Sequence, residues 1–321
     1  MHKIRVGVLR GGPSAEYDVS LKTGQSVLQS LPQDRYDVKD VLIDRNGKWH
    51  MRGMAISETR VLDQFDVLFN ALHGAYGEDG VLQRYLDQHG SKYTGSGALS
   101  SALAMNKTSA KEATKSGPCK HARHAVFDEN LVEEDILNIF RTFQQPSVVK
   151  PLSGGSSVST TLSRSYDQLK NAIVEILLIG DRVLIEEYVR GREATVAVVE
   201  GFRGEQLYAF PPIEIVCGKS DFFDYDEKYS GVAREICPAP FPRETTEALL
   251  EAAKYVHRTL GLRDYSRSDF IVAKDGIYFL EVNTLPGLTP ESLVPKAVDA
   301  VGATLPQFLS HLVDRAYMRK R

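Results

Sequence analysis

In the string Ser268-Asp269-Phe-Ile-Val-Ala-Lys-Asp-Gly-Ile-Tyr-Phe-Leu-Glu281-Val-Asn283, two carboxylates and an amide are spaced so that they can meet. Glu281 and Asn283 lie two residues apart, so on an extended strand both point to one face. Asp269 joins them only in one hairpin register. A two-residue turn at Asp275-Gly276 would set Asp269 across from Val282 and send its carboxylate to the other face. A three-residue loop, Lys274-Asp275-Gly276, sets it across from Glu281, and it suits a left-handed residue at its end, which Gly276 supplies without steric cost. These are hard oxygen donors of the kind that hold Mg2+, an ion that fills its remaining positions with water and substrate phosphate oxygens. Taken alone, the segment also fits an amphipathic hairpin with one wet face.

Other segments offer partners for such an ion. Val148-Val-Lys150-Pro-Leu-Ser-Gly154-Gly155-Ser156-Ser157 is a strand that delivers a lysine into a Gly/Ser-rich loop. There, backbone N–H groups and hydroxyls can approach phosphate, and the lysine adds a point charge. No GK[ST] follows the glycines, so it is not a Walker A loop, and a plain surface loop has the same composition. Lys107 is a second candidate cation. Val183-Leu-Ile-Glu186-Glu187-Tyr-Val-Arg-Gly-Arg-Glu193 ends an apolar strand in acids. An adenine can read such an extended backbone, and a ribose diol suits one carboxylate, for which Glu193 is the natural candidate. His73-Gly-Ala-Tyr-Gly-Glu-Asp-Gly80 and Gly11-Gly-Pro-Ser-Ala-Glu16 each follow a strand, and in an open α/β sheet such loops share the crevice beyond the strands' carboxyl ends. Cys119-Lys-His121-Ala-Arg-His124 has a metal-like look, but Lys120 and Arg123 would repel a cation.

The elements that must position these groups fall into three blocks. Residues 1–104 alternate short apolar runs with helical stretches and predict an α/β layer with an open parallel sheet. Asn46-Gly47 predicts one hairpin within it. Ser14 is a candidate cap for the helix that follows. Residues 105–185 predict a small α+β unit, with helices over Ala104 to Lys115 and Tyr166 to Leu178 and strands at Ala125 to Asp128, Ser147 to Pro151 and Val183 to Tyr188. Residues 186–321 predict a strand pair, a helix from Arg243 to Leu260, the opening hairpin, and a last helix from Leu305. At 321 residues the chain exceeds one ordinary core. Apolar content of 42%, charged content of 25% and a net charge of −3 describe a globular protein with no electrostatic call on nucleic acid or an anionic membrane. No stretch reaches about 18 consecutive apolar residues and the start lacks a signal-peptide core, so a cytoplasmic location is expected. Three cysteines, Cys119, Cys217 and Cys237, without CxxC spacing, fit reduced thiols.

Taken together and in order, these strings resemble the ATP-grasp superfamily and, within it, the D-alanine–D-alanine ligase family. The matching segments are Gly11 to Leu21, His73 to Gln83, Gly95 to Lys107, Val148-Val-Lys-Pro, Gly155-Ser-Ser-Val, Asp226-Glu-Lys228-Tyr229-Ser, Arg267-Ser-Asp269 and Glu281 to Leu293. The resemblance implies an ATP-grasp fold behind the N-terminal α/β domain, with a central subdomain at 105–185 and a C-terminal subdomain at 186–321. It implies a cytoplasmic ligase that joins two D-alanines through a D-alanyl phosphate for peptidoglycan synthesis, and a homodimer formed through the N-terminal domain.

Residue roles follow from the same resemblance. Lys107 and Lys150 hold the α- and β-phosphates of ATP, with Ser156 and Ser157 in the phosphate loop. Glu186, Glu187 and Val189 lie at the adenine, Glu193 at the ribose, and Lys228 at the γ-phosphate. Asp269, Glu281 and Asn283 bind two Mg2+ ions, for which Mn2+ can substitute. Glu16 pairs with the ammonium of the first D-alanine and is held by Ser156 and Tyr229. His73 lies near that substrate's carboxylate. Arg267 and the Gly287 N–H stabilise the oxyanion, and Ser292 with the Leu293 backbone takes the carboxylate of the second substrate. The Lys228-Tyr229-Ser230 string resembles the D-alanine type; a D-serine or D-lactate ligase is the alternative, and a nucleotide sensor without turnover is a third reading. Two positions depart from the family pattern: Asn106 replaces an Asp before the phosphate lysine, and Ser159 replaces a Gly at the end of the phosphate loop, a strained position if φ is positive there.

Overall fold

The computed structural model describes residues 3–128, 131–153, 159–216 and 234–320. Ser156, Ser157, Lys228 and Tyr229 lie outside them. Three sheets, one in each block, carry the chemistry-bearing loops at their edges.

The first sheet is built on β1 (Ile4–Gly11), whose Val6, Val8 and Leu9 are fully buried. β1 pairs in parallel with β2 (Tyr36–Ile43) on one side and β5 (Val67–Asn70) on the other. β3 (Trp49–Met51) and β4 (Met54–Ala55) extend β2 antiparallel across the expected Asn46-Gly47 turn, so the sheet is mixed rather than wholly parallel. Chain order reverses at β1, and the crevice at its carboxyl end receives the Gly11-to-Glu16 loop and the loop after β5. Helix α1 (Tyr17–Ser30) starts at Glu16, which occupies the cap position. Ser14 therefore does not cap the helix. Its hydroxyl donates instead to the His73 carbonyl, 2.6 Å away, and ties the two crevice loops together. Two short helices, α2 (Glu58–Leu62) and α3 (Val81–Gln88), complete this layer.

A single helix over Ala104 to Lys115 was the expectation; two are found. α4 (Ala98–Met105) stops at Asn106, whose backbone turns extended and whose side chain accepts from the Ser109 N–H to start α5 (Lys107–Ala113). Asn106 thus performs the capping that an Asp would perform. The break redirects the chain so that Lys107 and Lys111, one turn apart, share one face of α5.

The central sheet has the order β6-β9-β7-β8, all antiparallel: β6 (His124–Phe127), β7 (Ser147–Pro151), β8 (Thr161–Ser163) and β9 (Val183–Glu187). Helices α6 (Glu133–Thr142) and α7 (Tyr166–Leu178) cover it through Ile136, Ile139, Leu169, Ile173 and Ile176. The C-terminal sheet runs β13-β12-β10-β14-β15, with β11 beside β10. Its long strands are β10 (Arg192–Glu200), β14 (Tyr265–Ala273) and β15 (Gly276–Asn283); the short ones are β11 (Leu207–Ala209), β12 (Ile213–Val216) and β13 (Arg234–Ile236). α8 (Arg243–Thr259) packs on one face, while α9 (Leu293–Ala300) and α10 (Leu305–Met318) join the other to the N-terminal sheet. One apolar cluster holds Val6, Val27 and Phe69 together with Leu288, Phe308 and Leu312. This shared core fixes the N-terminal crevice against the β14–β15 hairpin.

That hairpin reaches its register by a different route from the one expected. Ala273 pairs with Gly276, so the turn is the two-residue Lys274-Asp275, which by itself would set Asp269 across from Leu280. A bulge between Asp269 and Phe270 takes up one extra residue of β15 and restores the Asp269–Glu281 pair. Gly276 has a positive φ of 145°, outside the left-handed helical region that the three-residue loop requires.

Candidate active site

Directly opposed residues of an antiparallel pair share a face. The pairs Asp269–Glu281 and Arg267–Asn283 therefore put four candidate side chains on one surface of the C-terminal sheet. Asp269 is buried and grips Arg267 through two bonds, Nε to Oδ1 at 3.0 Å and Nη2 to Oδ2 at 2.8 Å. Thr195, opposite it on β10, donates to Oδ1 at 2.5 Å. Burial alone would lower the Arg267 pKa; the Asp269 charge and hydrogen bonds outweigh it and raise the guanidinium well above its usual range. The Asn283 side-chain oxygen accepts from the Leu285 N–H at 2.9 Å. Among the described residues no three of His, Cys, Asp or Glu form a metal cluster. The set here is two carboxylates and an amide, all oxygen, which fits Mg2+ rather than a thiolate- or imidazole-seeking metal.

Facing this surface from α5 is Lys107, its Nζ 3.7 Å from Glu281 Oε2 and its side chain only 6% exposed. Burial pushes its pKa down, against the pull of Glu281. Behind it lies a second buried cluster. Glu186 of β9 pairs through Oε2 with Lys150 at 2.7 Å and through Oε1 with Lys111 at 2.9 Å. Burial would raise the Glu186 pKa, but the two lysines overcome it and hold it at about 2. Glu186 thus turns its carboxylate to lysines. Glu187 and Val189 instead line a cleft of about 630 Å3 with Tyr188, Ala273 and Tyr278. Glu193, half-buried on β10, contributes a favourable charge to Lys150.

The N-terminal crevice supplies the other half of the site. Glu16 lies close over Gly74: a Cβ added there would meet its Oε1 at 3.1 Å. His73 is 3% exposed, its Nε2 2.8 Å from Thr23 Oγ1. Burial lowers its pKa to about 4, so the ring is neutral at neutral pH. Glu78, one of the residues without an expected role, is a buried brace: Oε2 accepts from the Gly74 N–H at 2.8 Å and Oε1 from the Leu285 N–H at 2.9 Å. It thereby ties the His73 loop to the loop after β15. Burial, then the nearby Glu16, raise its pKa to about 8. In that latter loop the Ser292 hydroxyl lies against Gly287, where an added Cβ would meet Oγ at 2.8 Å, and it pairs with Thr289 Oγ1 at 2.8 Å. Leu293 begins α9.

Lys111, Glu78 and Thr195 are the functional neighbours that sequence reasoning passed over. The spacing of Lys111, four residues after Lys107 on a helix, was a readable signal. Glu78 sat within a matching string, and only its burial between two loops reveals its use.

Ser159 has φ 60°, a left-handed conformation that a serine adopts at a cost of roughly 1–2 kcal/mol. Ser159→Gly removes that cost, and the KM for ATP is expected to fall by about 5- to 30-fold if the nucleotide-bound state bears it in full. An unchanged KM would show that the strain is not borne by the nucleotide-binding state.

A second expectation concerns acid. His257, buried with Nδ1 2.7 Å from Ser266 Oγ, is also lowered by burial to about 4. Between about pH 4 and 6.5 the unfolded chain binds more protons at His73 and His257 than the folded one. Stability is therefore lost as pH falls through this window, by up to about 1.4 kcal/mol per unit for each ring. Urea unfolding at pH 7 and pH 5 should show the loss and His257→Asn should reduce it; identical losses in both proteins would contradict the assignment.

Residues 121–314 match the family model for the D-Ala-D-Ala ligase C-terminus, and residues 5–59 and 52–96 match that for the N-terminus. A D-alanine–D-alanine ligase of Geotalea uraniireducens is 38% identical over 320 residues, spanning 98% of this chain and 96% of that one. Among solved structures, the VanG D-Ala:D-Ser ligase of Enterococcus faecalis superposes with a TM-score of 0.85 at 29% identity, over 99% of this chain and 100% of the other. The D-alanine–D-alanine ligase of Bacillus anthracis in complex with ATP gives 0.79 at 28%, over 98% and 97%.

Proposed function

This chain belongs to the D-alanine–D-alanine ligase family of ATP-grasp enzymes, and from that premise we propose that it joins two D-alanines into D-alanyl-D-alanine for peptidoglycan, with cleavage of ATP to ADP and phosphate. The observation that carries the reading is one sheet surface bearing Arg267, Asp269, Glu281 and Asn283, faced by Lys107 across 3.7 Å. Such a surface suits a phosphate being transferred and an oxyanion being formed side by side.

Lys107 and Lys150 hold the α- and β-phosphates and Lys228 the γ-phosphate. Glu186, Glu187 and Val189 serve the adenine through their extended backbone, the Glu186 carboxylate being taken by lysines, and Glu193 serves the ribose, with Ser156 and Ser157 in the phosphate loop. The ammonium of the first D-alanine pairs with Glu16, which Ser156 and Tyr229 hold. Neutral His73 stands by its carboxylate as a hydrogen-bonding group that adds no charge. A carboxylate oxygen attacks the γ-phosphorus, the bond to ADP breaks, and D-alanyl phosphate forms. The second D-alanine, held by its carboxylate at Ser292 and the Leu293 N–H, attacks the acyl carbon as an amine. Arg267 and the Gly287 N–H stabilise the oxyanion, a preorganised effect worth about 3 kcal/mol per donor. Collapse expels phosphate, the amine loses its proton, and the peptide bond remains.

Asp269, Glu281 and Asn283 are the proposed ligands of two Mg2+ ions, or of Mn2+ in their stead, which when bound neutralise phosphate charge. The sheets formed by residues 4–70, 124–187 and 192–283 support a division into three domains, proposed at 1–104, 105–185 and 186–321, with β9 carrying the central sheet two residues past the second boundary. A cytoplasmic homodimer is the proposed state; no helix among the described residues is long and apolar enough to cross a membrane.

The reaction is tested by phosphate release with ATP and Mg2+, offering D-alanine, D-serine, D-lactate or L-alanine singly and in pairs and weighing the products. Release with D-alanine alone, accompanied by the dipeptide, is expected. A mixed product in preference would shift the second substrate, and no release despite ATP binding would contradict a ligase.

A further inference from the structure

The Lys111 side chain is 1% exposed, and its ammonium has two partners from two different sheets. It lies 2.9 Å from Glu186 Oε1 on β9 of the central sheet and donates to the Phe279 carbonyl on β15 at 3.0 Å. Its Nζ also stands 5.9 Å from the centre of the Phe279 ring. Glu186 is thereby shared: Lys111 occupies one oxygen and Lys150 the other, at 2.7 Å. Three ammoniums, Lys107, Lys111 and Lys150, meet two carboxylates, Glu186 and Glu281, in this buried space. Glu193 on β10 adds a further favourable charge at Lys150, so the ammoniums are matched by carboxylates they share. A buried charge is costly unless paired, so how Glu186 is divided between Lys111 and Lys150 sets how much of the Lys150 charge is left for an incoming anion.

We propose that Lys111 is a positioning residue for the nucleotide: by neutralising Glu186 from one side, it leaves Lys150 with charge and donors to give to a phosphate. An ammonium has three N–H donors, and Lys150 uses one on Glu186. With Lys111 present, Glu186 is matched twice over and the Lys150 charge is only partly absorbed. Without it, Glu186 and Lys150 form a neutral pair, and the phosphates meet a carboxylate whose charge Lys150 alone must cancel. The bond from Lys111 to Phe279 adds a mechanical part, because it fixes α5, and with it Lys107, against the sheet that bears Glu281. The inference rests on the reading of Lys107 and Lys150 as phosphate ligands.

The test measures ATP dissociation by calorimetry without D-alanine, together with KM for ATP and kcat, in Lys111→Met, Lys111→Gln, Lys111→Arg, Lys150→Met and the double variant K111M/E186Q. Lys111→Met is expected to weaken ATP binding about tenfold or more and to raise KM accordingly, with a much smaller change in kcat. Lys111→Arg should retain most of the affinity. Removing the unmatched carboxylate in K111M/E186Q should recover most of what K111M lost, a rescue that a merely structural role would not produce. Lys111→Gln loses the charge and keeps an N–H donor on a side chain one bond shorter, so it carries the comparison should Lys111→Met fail to fold. Wild-type ATP affinity in Lys111→Gln, or a double variant no tighter than Lys111→Met, would overturn the proposal. If Lys150→Met also binds ATP normally, the reading of the lysines as phosphate ligands fails; if Lys150→Met loses binding and Lys111→Gln does not, only the role of Lys111 fails.

Discussion

Asp269→Asn is expected to lower turnover by about a hundredfold or more at ordinary Mg2+ and to shift the Mg2+ dependence to higher concentration. Asn keeps the size of the side chain and one oxygen, so Thr195 can still donate to it, as it does to Asp269 Oδ1 in the native protein. What is lost is a negative charge on the face that also carries Glu281 and Asn283. A second consequence follows from Arg267, which loses its forked partner. Arg267 then keeps the favourable charges of Glu281 and Glu78 but no forked contact to orient it, and the proposed oxyanion donor should be less well placed even at saturating Mg2+. Rates measured across a Mg2+ titration separate the two contributions: added ion recovers the first and leaves the second. A near-normal rate at low Mg2+ would remove Asp269 from the metal site.

Arg267→Ala is the second large effect. Losing one preorganised donor to a developing oxyanion lowers kcat by about 100- to 1000-fold. The same change strips Asp269 of its partner, and breaking a buried pair costs about 3–5 kcal/mol of stability. Arg267→Lys separates the two, since lysine restores a charge near Asp269 but cannot make the forked contact. It should regain much of the thermal stability and little of the rate. Equal recovery of both would mean that Arg267 acts only by supporting Asp269. The pairing also sets the Arg267 and Mg2+ claims on Asp269 against each other, so Arg267→Ala should not raise the Mg2+ requirement.

How far these groups could be read from the sequence depends on the distance over which each is determined. Strand β7, helix α7 and the start of α10 stand where the apolar pattern and caps set them, because those signals are local. The helix break at Asn106 was less legible. Asn106 looks like a departure from the family's Asp before the phosphate lysine, whereas the side chain's work is to cap α5, which either residue can do. In the hairpin, the Asp269–Glu281 pairing was read correctly and the turn was not. A bulge at Asp269/Phe270 depends on the packing of the whole sheet, which the loop residues do not report. Ser14 looked like a cap because its local sequence allows one, but a partner 59 residues away, the His73 carbonyl, takes its hydroxyl. The roles of Glu78 and Lys111 are hidden for the same reason, although the spacing of Lys111 after Lys107 is readable. Each owes its role to burial between segments brought together by the fold, Gly74 with Leu285 in one case and Glu186 with Phe279 in the other.

Carrying an oxygen label through the reaction tests the central claim, peptide bond formation through D-alanyl phosphate, most directly. D-alanine labelled with 18O in its carboxylate is incubated with the enzyme, ATP and Mg2+, and the released phosphate is analysed by mass. Because a carboxylate oxygen becomes the bridge to phosphorus and departs with it, one labelled oxygen per phosphate is predicted. Phosphate carrying no label while dipeptide accumulates would contradict the acyl phosphate, and with it the roles assigned to the surface around Arg267 and Asp269.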